Sequence, residues 1–402
     1  MPWPWNLAKG AVGRRSWAAD FALALRCRDP SCALANPHTW QRVALPTDAD
    51  VPELDALPSP PRVLTGACPR AEYRQRKEEA KSTVHWGQRK LFMAELEFLL
   101  DFAAEAQLLV YAGAAEGHHL AFLCELFPEI QVEAWDPRPF ARSAVPPQAP
   151  RNLRVHQEYF TEEVAKALAE RQVPLLFVSD IRTADWQRDS AEEHDARLLA
   201  DLRAQETWVD ILRPKRALLK FRFPYSPGCT ETLDGELRLP VWGPQSTTEC
   251  RLLVTPQDGA ALATKRWDHQ CLWEQLFYFN TVTRISIYPR PAFAQDAESE
   301  ATLRTAGLCR CYDCTREVEL LAEYLQRRRK APDAALVAAL ARDASSGCGR
   351  GPNGLLDAPT APWQAQAEAA EATERVNVQD RWDVSHAASM LIGCAGRVFF
   401  ER

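Results

Sequence analysis

The chain contains no apolar run of the roughly 18 residues that a membrane-spanning helix needs, so none is expected. Its opening stretch, MPWPWNLAKGAVGRR, lacks the apolar centre of a secretory signal, which predicts an intracellular protein. Twelve cysteines are present but scattered, and Cys124, Cys250 and Cys271 fall inside apolar segments. Buried reduced thiols suit an intracellular chain better than a disulfide framework does. Positive charge is also short: 48 Lys and Arg against 54 Asp and Glu leave a net charge of −6. That argues against a broad nucleic-acid-coating surface and leaves room for a local basic groove. There is no internal repeat, and the glycine turn G-A-A-E-G from Gly113 to Gly117 lacks the G-x-G-x-x-G spacing of a dinucleotide fingerprint.

What is present, over 402 residues that are 46% hydrophobic, is enough for one large core with appendages or for two domains. Residues 1–69 are rich in Pro, Trp and turn formers, with VPELDALPSPPRV reading as a linker, and are expected to be a loosely structured extension. From 70 to 330 the pattern is regular. Apolar residues at helical spacing from Leu91 to Phe102 predict an amphipathic helix. Strand QLLVYAG, helix HHLAFLCELF and strand IQVEAWD follow, then strand NLRVHQEYF, helix TEEVAKALAERQ and strand PLLFVSD. A long helix, AEEHDARLLADLRAQETWVDILRP, leads to strand ALLKFRFPY, and ECRLLVTP and VTRISIYP read as further strands. Alternating β and α with solidly apolar strands predicts an α/β fold, a mostly parallel sheet with helices on both faces. Residues 331–402 are Ala-rich and broken by GCGRGPNG, which reads as a helical or loosely ordered tail.

Open α/β sheets bind ligands beyond the carboxyl ends of their strands. The first strand ends in YAGAAEGHH, where Gly113 and Gly117 bracket a tight turn into a helix. The next strand ends on Asp136, about 20 residues further on, an offset that suits hydrogen bonds to ribose hydroxyls. An ordinary strand–turn–helix is the structural alternative. With no pyrophosphate fingerprint, the turn fits a small nucleoside cofactor such as S-adenosyl-L-methionine better than a dinucleotide. PLLFVSD ends on Asp180 in the same crevice. Three other charges sit in apolar surroundings: Lys90 before the first helix's apolar face, Lys220 inside ALLKFRF, and Glu249 at the start of ECRLLV. A charge inside a strand is costly unless it is paired or functional. Each alone reads as a snorkelling lysine or an edge acid. With Asp180 they form an ordered Lys–Asp–Lys–Glu set.

HWGQRKLFMAELEFLL, LVYAGAAEGHHLAFL, VSDIRT, ALLKFRFPY and ECRLLV, in this order and spacing, resemble the poxvirus-type cap-specific mRNA nucleoside 2′-O-methyltransferases, with relatives in giant DNA viruses and kinetoplastid protists. The resemblance spans roughly residues 70 to 290. It implies a Rossmann-like fold dependent on S-adenosyl-L-methionine and a catalytic tetrad of Lys90, Asp180, Lys220 and Glu249. It also implies cofactor contacts from Gln88, Tyr111, Gly113, Gly117, Asp136, Arg138 and Asp180. The poxviral proteins also serve as a processivity subunit of poly(A) polymerase, so capped mRNA and the polymerase's catalytic subunit are the implied partners. The implied site is the cytoplasm, a viral factory or the virion in a virus, and the nucleus in a protist. The family grips a 7-methylguanosine cap between two aromatic rings. Tyr225 matches one position, and Tyr73, at slightly shifted spacing, is the candidate for the other. Glu274 is the candidate acceptor for the guanine edge. Where the family follows its aromatic with an acid, this chain has Pro227, and where its turn has a small residue or proline, this chain has Glu116. That acid either binds the cofactor's amino group or repels its carboxylate. Arg182, Arg213, Lys215, Arg216, Arg222 and Arg251 cluster in sequence around the tetrad strands and predict a basic groove for the RNA backbone.

LCRCYDCTREVELLAEYL places Cys309, Cys311 and Cys314 ahead of a helix. Three sulfurs fall short of a zinc site, and a thiol-lined helix start with Asp313 helping to cap it is the preferred reading, with no metal. Two other functions stay open at this stage. An internal ribosomal or transfer RNA 2′-O-methyltransferase shares the tetrad but lacks the aromatic slot. A catalytically silent RNA-binding subunit of a polyadenylation complex would not require an intact tetrad.

Overall fold

The computed structural model describes residues 59–73 and 87–348, except 186–187, 244–246, 285, 287 and 309. Eight strands form one sheet: β1 (Val63–Leu64), β2 (Leu108–Ala112), β3 (Gln131–Trp135), β4 (Leu153–His156), β5 (Leu175–Ser179), β6 (Arg216–Phe221), β8 (Glu236–Arg238) and β9 (Cys250–Val254). Their order is β1-β8-β9-β6-β5-β2-β3-β4. The five strands from β6 to β4 are parallel, and β9, β8 and β1 continue the sheet antiparallel. From β2 the chain winds outward to β3 and β4, then returns to lay β5 and β6 on the other side of β2. The winding reverses between β2 and β5, and beyond their carboxyl ends a ligand crevice is expected.

Strand periodicity sorts the helices. Leu109 and Tyr111 of β2, Val132 and Ala134 of β3, and Leu176 and Val178 of β5 belong to one core. Leu108, Val110, Ala112, Leu175 and Phe177 belong to the other. The first core is covered by α1 (Gly87–Phe102), α2 (His118–Leu126), α6 (Ala297–Thr305), α7 (Tyr312–Arg327) and α8 (Ala334–Gly347). The second is covered by α3 (Glu162–Ala169), α4 (Ala191–Leu212) and α5 (His269–Tyr278). Caps fix several starts: Ser190 and Glu193 form a reciprocal capping box on α4, and Asp268 caps α5. The fold is therefore α/β and Rossmann-like, a mixed and mostly parallel sheet between two helical layers. A separate two-stranded ribbon pairs β7 (Cys229–Leu233) with β10 (Thr264–Asp268).

The structure departs from the sequence reading at VTRISIYP and at Asp313. VTRISIYP is not a strand among its described residues. A π-helical turn, Phe279–Thr283, continues α5, and the buried Arg284 closes it by donating its backbone N–H to the Phe279 carbonyl at 2.7 Å. Its side chain pairs with Asp313 and donates to the Pro240 carbonyl at 2.8 Å. An arginine so enclosed satisfies itself better from a helical turn than from a strand face. Asp313, expected to cap α7, is turned inward to that arginine instead. Within 331–402, α8 packs Ala334, Val337, Ala338 and Ala341 into the first core. Within 1–69, β1 pairs with β8. Among the described residues no helix is long and apolar enough to cross a membrane.

Candidate active site

The crevice opens above β2, β3 and β5 and has a volume of about 1290 Å³. Gly113, Asp136, Asp180, Lys220, Tyr73 and Tyr225 all line it, so the expected cofactor turn, part of the tetrad and the aromatic pair share one space. Gly113 has φ of +82°, and a Cβ there would lie 2.9 Å from the Ile181 backbone nitrogen. The glycine is therefore required by the neighbouring strand end. Gly113→Ala should lower stability by about 3 kcal/mol, since strain meets a backbone that cannot yield. Urea denaturation checks this.

Asp136 is buried, and its carboxylate shapes the turn. It accepts from the Ala115 amide at 2.8 Å, the Arg138 amide at 2.9 Å and Arg138 Nε at 3.0 Å. Arg138 lines the crevice from the exposed side. Gly117 starts α2 in a left-handed conformation, where a Cβ would crowd Leu120 and Phe140. Tyr111 does not reach the crevice lining. It is fully buried in the first core, with burial and then Glu95 raising its hydroxyl well above the usual range. Gln88 falls in the first turn of α1, with its side chain outside the described residues. Glu116 is exposed and pairs with His118 at 2.8 Å.

The tetrad assembles from four elements. Lys90 comes from the first turn of α1, Asp180 from the end of β5, Lys220 from β6, and Glu249 from the residue before β9. Lys220 Nζ lies 3.1 Å from Asp180 Oδ2 and 3.7 Å from Glu249 Oε2, and Lys90 is ion-paired with Glu249 Oε1. Arg251 departs from its expected place in an RNA groove. The antiparallel register sets it directly opposite Lys220, only 3% exposed, with Nη1 2.5 Å from Asp180 Oδ1. Two cations facing each other across a sheet repel, so the acids between them are structurally needed. Arg182 closes the cluster from the solvent side, donating to Glu249 Oε2 at 2.7 Å.

This arrangement sets the protonation states. Burial lowers Lys220 to about 8; Arg182 and Lys90 push the same way, while Asp180 and Glu249 oppose them. Burial alone would raise Asp180, but Arg251, Lys220 and Lys90 hold it at about 2. Glu249 is likewise held well below the usual range, as Lys220, Lys90, Arg251 and Arg182 overcome its burial. The site thus keeps two ionised acids and a lysine able to lose its proton near neutral pH.

Tyr73 and Tyr225 stack on one another, with ring centroids 5.3 Å apart and planes at 23°. Arg222 places its guanidinium 4.7 Å from the centroid of the Tyr225 ring. Trp273 of α5 packs against both rings, while the next residue, Glu274, is absent from the crevice lining and is engaged by Arg70 at 2.6 Å and by Gln270 at 2.8 Å. Arg213, Lys215 and Arg216 do not line the crevice. They sit at the other end of β6, about 13 Å of strand away from Lys220. There Arg216 pairs with Glu105 and stacks on Phe102. Cys311 and Cys314 are buried in the first core, and Cys309 lies outside the described residues.

Several lining residues carry no sequence signal of their own. Thr183 is fixed by Asp201 of α4, which accepts from its amide at 2.9 Å and its hydroxyl at 2.7 Å. Tyr159, 71% exposed, stands at the crevice beside Phe160. Behind the lining, His269 Nδ1 lies 3.0 Å from the Ser226 carbonyl, and its amide donates to the Gly228 carbonyl at 3.0 Å. It thereby holds the segment that carries Tyr225.

Comparison with known proteins then decides the lineage. The family model described as "Poly A polymerase regulatory subunit" matches residues 65–297. The chain belongs to that family. The cap-specific mRNA (nucleoside-2′-O-)-methyltransferase of Fowlpox virus is 26% identical over 219 residues, covering 50% of this chain and 68% of the relative. The protein of the same description from Myxoma virus (strain Lausanne) is 24% identical over 220 residues, covering 52% of this chain and 64% of the relative. The chain thus spans about two thirds of these relatives. Among solved structures, that of bluetongue virus VP4, described as a multifunctional RNA-capping production line, aligns with 69% of this chain and 46% of its own, at a TM-score of 0.38 and 13% identity. The fold assignment rests on the strand order, not on that alignment. The family match ends before α7 and α8, and it covers every crevice-lining residue.

Proposed function

We propose that this protein methylates the ribose 2′-hydroxyl of a cap-proximal nucleotide in 7-methylguanosine-capped mRNA. The observation that carries the reading is the single crevice joining the β2–β3 strand ends, the low-pKa Lys220 and the Tyr73–Tyr225 pair. S-adenosyl-L-methionine suits the first part of it. The turn into α2 presents Glu116 rather than a lysine or arginine nest, which disfavours a pyrophosphate and tolerates a cationic ligand. Asp136, Gly113 and Arg138 would hold the nucleoside, with Asp180 at its inner edge. When bound, the cofactor supplies an electrophilic methyl group on a sulfonium.

The chain's own residues handle the hydroxyl. A ribose hydroxyl must be aimed and must lose its proton during transfer. Lys220, neutral in a substantial fraction near pH 8, accepts that proton, and Asp180 fixes its Nζ. Lys90 and Arg182 hold Glu249, which flanks Lys220 on the other side. Alignment contributes alongside proton transfer. Asp136→Ala should weaken cofactor binding by more than tenfold, through lost charged hydrogen bonds of about 1.5 to 3 kcal/mol each and a loosened turn. Calorimetry on the folded variant, with affinity unchanged, would remove this assignment.

Tyr225 and Tyr73 suit a cationic base. Because the rings already touch, seating a base between them requires that they part. The methylated guanine adds a cation–π contribution of about 0.5 to 2 kcal/mol, so capped RNA bearing the methyl group should bind roughly 2- to 30-fold tighter than RNA with an unmethylated guanosine cap. Tyr225→Ala should erase that preference and Tyr225→Phe should keep it. Equal dissociation constants for both RNAs in the wild type would favour internal RNA as substrate. The family description also supports a poly(A) polymerase catalytic subunit as partner, which co-purification with that subunit tests.

A further inference from the structure

We infer that Glu317 and Asp313, one turn apart on α7, are positioning residues for the Lys90–Glu249 half of the site. The inference rests on the catalytic reading of those two residues and concerns helices outside the family-matched region. Lys90 and Glu249 belong to segments that no strand pairing joins: the first turn of α1 and the connection from β8 to β9. Glu317 is tied to both segments, and Asp313 to the second. Arg89, immediately before Lys90, is fully buried and ion-paired with Glu317 Oε1. Its Nη1 also reaches the Ala341 carbonyl at 3.3 Å and Ser345 Oγ at 3.2 Å on α8. The other Glu317 oxygen accepts from Trp242 Nε1 at 2.6 Å, and Asp313 Oδ1 accepts from the Trp242 amide at 2.8 Å. Trp242 lies in the connection that ends on Glu249.

A second path leads to Glu249 itself. Asp313 holds Arg284, whose Nε donates to Asn280 Oδ1 at 2.8 Å. Asn280 Nδ2 donates to the Thr247 carbonyl at 2.8 Å, and Thr247 Oγ1 accepts from the Glu249 amide at 3.0 Å. Lys220 and Asp180, by contrast, are fixed by adjacent strands β6 and β5. The sheet thus sets Lys220 and Asp180 and holds the β9 side of Glu249, while α7 ties down the turn that carries Lys90 and the connection that leads into Glu249. Both Glu317 oxygens, Asp313 Oδ1 and the Asn280 amide have partners, with Arg89 Nε left without one, and a buried network satisfied to this extent gives rigid placement. In such a network a shift of about 1 Å can lower turnover about a hundredfold.

The test uses the full-length chain with Glu317→Gln and Asp313→Asn. Lysines are labelled with an acetylating reagent and read by mass spectrometry, while turnover on capped RNA and cofactor affinity are measured in parallel. The expected result is several-fold faster labelling at Lys90 with Lys220 unchanged, a fall in kcat, and unchanged cofactor affinity. Should the single variants fold poorly, Arg89→Met with Glu317→Met restores an apolar core without the ties. It should fold and still label rapidly at Lys90. Unchanged Lys90 labelling in a folded variant overturns the inference, as does acceleration at Lys90 and Lys220 alike, which means general loosening. Absence of methyl transfer by the wild type would count against the proposed reaction, while the labelling pattern still decides the anchoring.

Discussion

Lys220→Ala should abolish methyl transfer, lowering turnover by about 10³-fold or more while leaving cofactor and cap binding nearly intact, because the lost interaction belongs to the transition state. Lys220→Arg should fail similarly, since a guanidinium keeps its proton at any working pH. The wild type should show turnover rising with pH up to about 8 and levelling above it, as the lowered lysine gives up its proton. Single-turnover rates across pH 6 to 10 make the comparison. An arginine variant with near-normal turnover would reduce the lysine's role to charge alone. A flat wild-type profile would remove proton transfer from the rate-limiting step.

Arg251→Met should destabilise the protein by about 3 kcal/mol, because two buried carboxylates lose a partner that shares no solvent with them. The pH dependence gives the sign. Asp180 is held at about 2, below its unfolded value near 4, so its pairing stabilises the fold above pH 4. That contribution is lost as pH falls from about 4 toward 2. The gap between wild type and variant should therefore be widest near neutrality and narrow through that window. Denaturation curves at several pH values measure it. A stable variant with weaker and less salt-sensitive RNA binding would return Arg251 to a surface groove.

Arg251 lies in the buried cluster rather than in the basic groove that its sequence neighbourhood predicts. Lys220, Asp180 and Glu249 were visible because each interrupts or ends an apolar strand. Arg251 interrupts one too, but its partner is set by the antiparallel pairing of β6 with β9, which no local pattern encodes. Arg213, Lys215 and Arg216 are close to Lys220 in sequence and lie at the other end of the same strand. Sequence proximity along a strand is physical separation, and only the sheet direction says which end faces the crevice. VTRISIYP has the alternation of a strand, yet the need to enclose Arg284 beside Asp313 overrode it. Glu317 and Asp313 look like ordinary helix charges, since helical periodicity cannot reveal that α7 is covered on that face by α1 and α8. The parallel strands and their helices were legible because solid apolar runs and capped amphipathic segments leave few alternatives. The aromatic pair was legible only through family resemblance, as a tyrosine in a loop carries no signal of its own.

The most direct test of the central claim supplies labelled S-adenosyl-L-methionine, short 7-methylguanosine-capped RNA and the same RNA without a cap, and maps any labelled nucleotide by nuclease digestion. The expected result is label on one ribose 2′-oxygen next to the cap in the capped RNA, and none in the uncapped one. Equal labelling of both RNAs, or label at an internal ribose, would contradict it.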